Sequence, residues 1–308
     1  MGSENQKTGE CMAAQSVGGD YPRVCVVMRS FNDIDLIGET LKSVLSQDYP
    51  NFELWNFDSR STDGTLELIR QFNDASRIVL NDSKTYNPGR VLNEAMALTD
   101  SDIVVFINSD ATPERSDWLS NLLAPMLEDK SIAAVYGRQT SRKDCRSLFV
   151  KDNERAFGDG TVAAGWKHFF SMANSAIRRS VHDKYPFETR VQYSEDVEWT
   201  WRVKKAGYSI VYVADAAAVH SHNYSLGQSY KRHYGEGVAD AWIFKEDLGA
   251  TDPVRYIILS ASREIVRDLI WSIRTLSLDG LFHSVPLRVT QRFARWRGLR
   301  EGRVKYQV

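Results

Sequence analysis

The stretch Ser101–Pro113, SDIVVFINSDATP, decides how this chain folds. Ile103 to Ile107 are five apolar residues in succession. Such a run reads as a strand buried on both faces, as an inner strand of a parallel sheet is. It stops abruptly in the polar cluster Asn108-Ser109-Asp110, and Pro113 follows. Open α/β sheets bind their ligands at the carboxyl ends of the strands, so Asp110 is placed to hold a metal ion or a diphosphate. Aspartate also caps turns and helices, and this stretch alone leaves both roles open.

Working outward, the flanking segments alternate strand and helix. Arg23–Arg29 (RVCVVMR) is a strand leading into Ser30-Phe31-Asn32-Asp33. The next segment spaces Ile37, Leu41, Val44 and Leu45 as an amphipathic helix. Phe52–Phe57 is a second strand, ending in Asp58 and the turn-forming run STDGT. A helix over Leu66–Phe72, a short strand over Ile78–Leu80 and a helix from Arg90 to Leu98 lead back to the opening strand. This rhythm predicts right-handed crossovers and a mainly parallel sheet flanked by helices, an α/β fold.

Beyond Pro113 the pattern predicts a helix over Trp118–Met126 and a strand over Ala133–Tyr136, followed by Gly137-Arg138-Gln139. Residues 140–165 have weak periodicity and read as a loop or lid. Phe169–Ile177 reads as a strand region and Arg178–Lys184 as a short helix. Tyr193-Ser194-Glu195-Asp196 opens a helix through Ala206, with Gly207 as its stop. Short strands over Ile210–Val213 and Ala217–Val219 run into His220-Ser221-His222, and the chain is mostly helical from Ser229 onward, with Pro286 starting the last helix.

Bulk properties exclude several classes. The 308 residues are 43% apolar and 26% charged, with a formal net charge of −1. A general nucleic-acid binder would carry a strong basic excess. Cys11, Cys25 and Cys145 are far apart and lack CxxC spacing, so neither a disulfide framework nor a zinc site follows, and a reducing cytoplasm is expected. No signal peptide or transmembrane run is visible. Residues 1–20 are polar and glycine-containing, the composition of a disordered tail. No GxGxxG follows the first strand, which disfavours a dinucleotide-dependent oxidoreductase.

The segments RVCVVMRSFND, NFDSRSTDGT, NSDATP, SEDVEW and HSHNYS occur in one order at plausible spacing. In this the chain resembles the family 2 inverting glycosyltransferases of the GT-A fold, from Arg23 to Tyr234. VYGRQ, ANSAIRRS and AAVHSHNYS are further similar to the bacterial rhamnosyltransferase-like branch, which builds O-antigen and related surface polysaccharides. The resemblance implies a GT-A domain over residues 21–240, which leaves the helical pattern of 241–308 as a C-terminal region beyond it. It also implies transfer of a sugar, L-rhamnose from dTDP-rhamnose, onto a saccharide acceptor. A UDP-hexose donor on the same fold, or a nucleotide-sugar-binding protein without catalysis, are the alternatives; Asn108 motivates the second.

The resemblance also distributes roles. It places the nucleotide on Arg29, Ser30, Phe31 and Asp58, with Arg90 near the diphosphate and Asn108 and Ser109 beside it. A pyrimidine needs edge-on hydrogen bonds, which a carboxylate or amide at a strand end can supply, although Asp58 can equally shape its turn. A divalent cation, Mg2+ or Mn2+, would sit on Asp110 and His222, with His220 the weaker choice. Asn108 stands where the family carries the first aspartate of D-x-D, which puts metal dependence in doubt. An acceptor hydroxyl must lose its proton as it attacks, which calls for a carboxylate. Asp196 matches the second acid of the family's E/D-D motif and is the expected base, with Glu195 orienting the acceptor or tuning that base. Acids are also favoured at a helix start by the macrodipole alone. Arg138, Gln139, Asn174 and Trp199 are expected near the donor sugar or acceptor. Trp199 can lie beside Asp196 at i+3, and core packing explains it as well.

The C-terminal stretch carries Arg288, Arg292, Arg295, Arg297, Arg300, Arg303 and Lys305 against Glu301, with Val289, Phe293 and Trp296 at helical spacing. A basic amphipathic helix suits an anionic membrane surface, and the acceptors of such enzymes are commonly lipid-linked. Packing on its own domain, or on a second subunit in a homodimer, is the competing expectation. A cytoplasmic protein, peripheral at the inner face of the plasma membrane, would follow from the first.

Overall fold

The computed structural model describes residues 21–166, 168–246 and 252–308; the tail expected over residues 1–20 lies outside them. The first half runs β1 (Val24–Ser30), α1 (Ile34–Leu45), β2 (Phe52–Asp58), α2 (Thr65–Phe72), β3 (Ile78–Leu80), α3 (Pro88–Leu98), β4 (Ile103–Asn108) and β5 (Thr112–Pro113). There follow α4 (Trp118–Glu128), β6 (Ile132–Thr140), α5 (Ser147–Phe157), α6 (Thr161–Ala164), β7 (Asn174–Arg178), α7 (Arg179–His182), α8 (Glu195–Lys205) and β8 (Ser209–Val219). The C-terminal part is α9 (Leu226–Ile243), α10 (Ser260–Arg274) and α11 (Leu278–Tyr306).

The inner strands are apolar on both faces because both faces are covered. Val26, Met28, Val105 and Ile107 point into a core shared with α1 and α4. Their alternates Val27, Val104 and Phe106 point into a second core with α3 and α8, as the two-residue period of a strand requires. Among the described residues the strands form one sheet of order β3-β2-β1-β4-β7-β6-β8-β5. β3, β2, β1 and β4 are parallel, and so are β6 and β8, whereas β7 runs antiparallel to β4 and β6. The sheet is thus mixed and mostly parallel. The chain leaves β1 towards β2 on one side and returns as β4 on the other. Such a reversal opens a crevice beyond the strands' carboxyl ends.

Three expectations are corrected. Residues 140–165 are not a bare loop: they hold α5 and α6. The periodicity of α5 is weak because its inward face buries Lys151 beside Leu148 and Phe157, the lysine being paired with Asp268 of α10. Of Phe169–Ile177 only the last residues form β7; Phe170 and Met172 are apolar because they fill the second core from irregular backbone. Pro286 does not start a helix, since Ser277 already caps α11, its hydroxyl accepting the Gly280 N–H at 3.1 Å.

The helix α11 packs along α9 at backbone contact. A Cβ on Gly298 would stand 2.1 Å from the Tyr234 carbonyl, and one on Gly237 2.1 Å from that of Arg295. Arg295 also donates to Asp240 at 2.7 Å. Its neighbour Arg288 is buried and donates to Asp268 at 2.7 Å and to Asp152 at 2.7 and 2.8 Å. Two of the arginines expected to face a membrane therefore point inward.

Candidate active site

Strand register builds the first cleft. Arg29 is level with Asn108, and Ser30 with Asp58, so β1, β2 and β4 end side by side at one crevice. Arg29, Phe31, Ser59, Tyr86, Val91 and His222 are among the residues lining a cleft of about 420 Å³, with Asn108, Ser109 and Asp110 at its base. Phe31 and Tyr86 are exposed at the rim, where flat apolar side chains can cover a nucleobase. Arg29 donates to Asn108 Oδ1 at 2.8 Å. Ser109 donates to Asp33, whose carboxyl burial pushes up.

Asp58 is fully buried behind this wall rather than open to the cleft. It accepts from Ser30 Oγ at 2.6 Å and from the Ser61 backbone N–H and hydroxyl, each at 2.7 Å. Its work is to fix the β1 and β2 ends, and Ser59 rather than Asp58 lines the cleft. Arg90 is exposed on α3, outside the residues that line the cleft.

At the inner end of the cleft Asp110, His220 and His222 converge. Asp110 Oδ1 lies 3.5 Å from His220 Nε2, and Oδ2 lies 3.8 Å from His222 Nδ1. One ligand atom from each residue falls within 4.8 Å of the others. His220 donates from Nδ1 to Gln139 Oε1 at 2.7 Å, which leaves Nε2 with its lone pair. That Nε2 is buried and makes no hydrogen bond within the protein. Burial first, then the charges of neighbouring cations, holds His220 well below the ordinary histidine range; burial lowers His222 too, against the pull of Asp110. Two neutral imidazoles and a carboxylate are a donor set that fits a divalent cation. Arg142 donates to the backbone carbonyls of Asp110 and Ser221 and stands 3.6 Å from Asp110 Oδ2.

A second cleft, of about 340 Å³, meets the first at His222, which lines both. Its walls include Gln139, Phe170, Asp196, Tyr224, Arg232 and Glu236. Asp196 sits in the first turn of α8, its Oδ1 accepting the Val197 N–H at 2.8 Å. Burial and the adjacent Asp196 charge push Glu195 up to about 7, against the pull of Arg29. Burial raises Asp196 as well, while Arg232 and Arg29 draw it down. From His222 a ladder runs outward: its ring stacks on Tyr224 at 5.0 Å, and Arg232 donates to the Tyr224 hydroxyl at 2.6 Å and to Glu236 at 3.0 Å.

The sequence profile of glycosyl transferase family 2 matches residues 25–186, more than half of the chain. The chain belongs to this family.

Two O-antigen chain rhamnosyltransferases of Salmonella are similar to this glycosyltransferase. RfbN of Salmonella typhimurium is 32% identical over 74% of this chain and 76% of its own length. WbaN of Salmonella anatum is 34% identical over 63% of this chain and 65% of its own. Among solved structures, the Pyrobaculum calidifontis mannosyltransferase in complex with GDP-Man and Mn2+ aligns with a TM-score of 0.61 at 21% identity, covering 91% of this chain and 87% of that one. Glucosyl-3-phosphoglycerate synthase of Mycobacterium tuberculosis in complex with Mn2+, UDP and phosphoglyceric acid gives 0.54 at 20%, covering 74% and 80%. Both likenesses establish the GT-A-like fold.

Within the glycosyltransferase, the residues singled out from sequence separate into two groups. Arg29, Ser30, Phe31, Asn108, Ser109, Asp110 and His222 share the first cleft, and Gln139 and Asp196 open on the second. Asn174 and Trp199 belong to neither. Asn174 is fully buried, holding Trp118 Nε1 and the carbonyls of Arg138 and Ala216. Trp199 is fully buried on Phe187, donating to the Tyr185 carbonyl. Arg138 lines a third pocket with Glu154, which adjoins the second cleft at Gln139, Asn153 and Phe157. Sequence reasoning missed Asp33, Ser59, Arg142, Tyr224 and Arg232. The clearest signal for the last was the Arg232/Glu236 pair, four residues apart just beyond the HSHNYS segment.

Proposed function

We propose that this glycosyltransferase moves L-rhamnose from dTDP-L-rhamnose, with inversion, onto a saccharide acceptor of a bacterial surface polysaccharide. The observation that carries the reading is the junction at His222. There the cleft holding Asp110 and Arg29 meets the cleft holding Asp196, so a leaving group and a base can stand on opposite sides of one anomeric carbon. The donor is read from the relatives, two of which are O-antigen chain rhamnosyltransferases. The base lies against Phe31 and Tyr86, with Ser59 at its edge and Arg29 and Arg142 beside the diphosphate.

Asp110, His220 and His222 would hold a divalent cation, which supplies positive charge to the departing diphosphate. In the transfer, the Asp196 carboxylate takes the proton of the acceptor hydroxyl as that oxygen bonds to the anomeric carbon. The bond to the donor phosphate breaks, and its electron pair leaves with dTDP. Arg29 opposes the charge that develops on that side, and Glu195 sets the charge around the base.

The test is a panel of dTDP-rhamnose, UDP-glucose and GDP-mannose, assayed for hydrolysis and transfer with and without Mn2+. Turnover confined to dTDP-rhamnose is expected, with Asp196→Asn losing about 10²–10⁴-fold in kcat while still binding dTDP. Turnover of another donor alone would replace the sugar assignment, and full activity of Asp196→Asn would remove the base.

A further inference from the structure

A helix of a soluble protein turns its apolar stripe inward. In α10 the stripes are reversed. It buries Ala261, Glu264, Asp268 and Ser272 and exposes Val266, Leu269, Ile270 and Ile273, the last 66% exposed. The first half of α11 repeats the pattern. Gly280, Ser284, Leu287, Arg288 and Gln291 are buried, whereas Leu278, Phe282, Val285, Val289 and Phe293 face out, Phe282 being 77% exposed.

The two helices form an antiparallel hairpin with a polar seam. Gly280 sits against Ser272, and Ser284 Oγ donates to Asp268 at 2.8 Å. Asp268 is fully buried and also accepts from Arg288 and from Lys151 of α5. Asp268, Ser284, Arg288 and Lys151 are thus paired inside. The apolar side chains of both helices remain outside, and exposed apolar groups clustered in this way mark an interaction site.

We infer that the α10–α11 hairpin docks in the surface of an anionic lipid bilayer. Charge selects this occupant. The acids of α10, Glu264 and Asp268, face inward, while Arg255, Arg263 and Arg274 are exposed. Between Val254 and Val304 the exposed acids are Asp279 and Glu301, already paired with Arg146 and Arg297. A second copy laid on this face would bring arginines against arginines, whereas lipid phosphates satisfy them. No helix among the described residues is long and apolar enough to cross a membrane, so the hairpin lies along the surface. Gln291 of α11 lines the Asp196 cleft. A docked hairpin therefore holds that cleft beside the bilayer, within reach of an acceptor carried on a lipid; this last point rests on the sugar-transfer reading, and docking itself does not.

The full chain is sedimented with vesicles of phosphatidylglycerol and phosphatidylethanolamine, and with phosphatidylcholine alone. Strong partition onto the anionic vesicles is expected. Ile273→Glu with Phe282→Glu should reduce it by about a hundredfold, and Arg263→Gln with Arg274→Gln by about thirtyfold on the anionic vesicles. All these positions are exposed, so circular dichroism and dTDP affinity should stay at wild-type values. No donor is needed, so a failure here is separate from any failure of the transfer assay. Absence of wild-type partition, or unchanged partition of the Ile273/Phe282 variant, would overturn the inference. So would a concentration-dependent dimer abolished by that variant in a protein that ignores vesicles.

Discussion

Arg29, in β1, donates to the side-chain oxygen of Asn108 at the end of β4, 2.8 Å away, and the two line the first cleft together. Because the partner is an amide, the guanidinium keeps its full positive charge and turns it towards the cleft, where it also draws down Glu195 and Asp196. A carboxylate in place of the amide would spend that charge on an internal pair.

Asn108→Asp is accordingly expected to weaken dTDP binding about tenfold, the loss of roughly one charge-assisted contact. Titration calorimetry at fixed salt measures it. An affinity that is unchanged or tighter would show that Arg29 does not serve the diphosphate.

The proposed metal site would depend on a residue outside its three ligands. Gln139 fixes His220 by accepting its Nδ1–H at 2.7 Å, and itself donates to Ser171 at 2.8 Å. Removing such a support from a liganding histidine costs about 10–100-fold in metal affinity. Gln139→Leu should therefore weaken Mn2+ binding by that factor, and His220→Ala should weaken it further. Electron paramagnetic resonance of free Mn2+ reports both without any turnover. Wild-type affinity in His220→Ala would exclude that histidine from the site.

The paired acids of α8 set a pH dependence. In the proposed transfer Asp196 acts as a carboxylate; burial raises both acids of the pair, Glu195 to about 7. Turnover should rise with pH as the pair loses its protons, and Glu195→Gln should move the midpoint to lower pH by removing a neighbouring negative charge. Stability runs the other way. A carboxyl raised in the fold is favoured there in its protonated form, so its contribution is complete below the ordinary 4.5 and is lost as pH climbs to about 7. Urea denaturation should show this decline in the wild type and a flatter curve in Glu195→Gln. A midpoint shared by the two proteins would detach Glu195 from the titration.

The sheet was legible because its inner strands are covered on both faces, which leaves Ile103–Ile107 and Val24–Met28 as unbroken apolar runs. The strand ends were legible as polar residues following those runs. Burial of polar groups was not legible. Asp58 and Asn174 have the side chains of ligand-binding residues, yet their hydrogen bonds close on neighbouring backbone and hydroxyls. The same cause hid α5, whose inward lysine meets an aspartate more than a hundred residues later. It also disguised the C-terminal hairpin, where charge lies inside and the apolar stripe outside. Periodicity locates a stripe; what the stripe faces depends on partners distant in sequence.

The approach of α9 and α11 supplies a last test, because two physical effects there oppose one another. Alanine is the better helix former, worth about 1 kcal/mol over glycine in a helix interior. At Gly298 the added Cβ would meet the Tyr234 carbonyl oxygen at 2.1 Å and its carbon at 2.9 Å, both backbone atoms that no rotamer change can move. Forced overpacking costs about 1–3 kcal/mol and often more against rigid atoms, so the clash should win. Gly298→Ala is expected to lower Tm by about 2–4 °C or more. Gly227→Ala, on the exposed first turn of α9, meets nothing closer than Ser225 Oγ at 4.0 Å and should be neutral or stabilising. Calorimetry of the two variants separates packing from propensity: equal Tm gains in both would mean that the helices do not meet at Gly298.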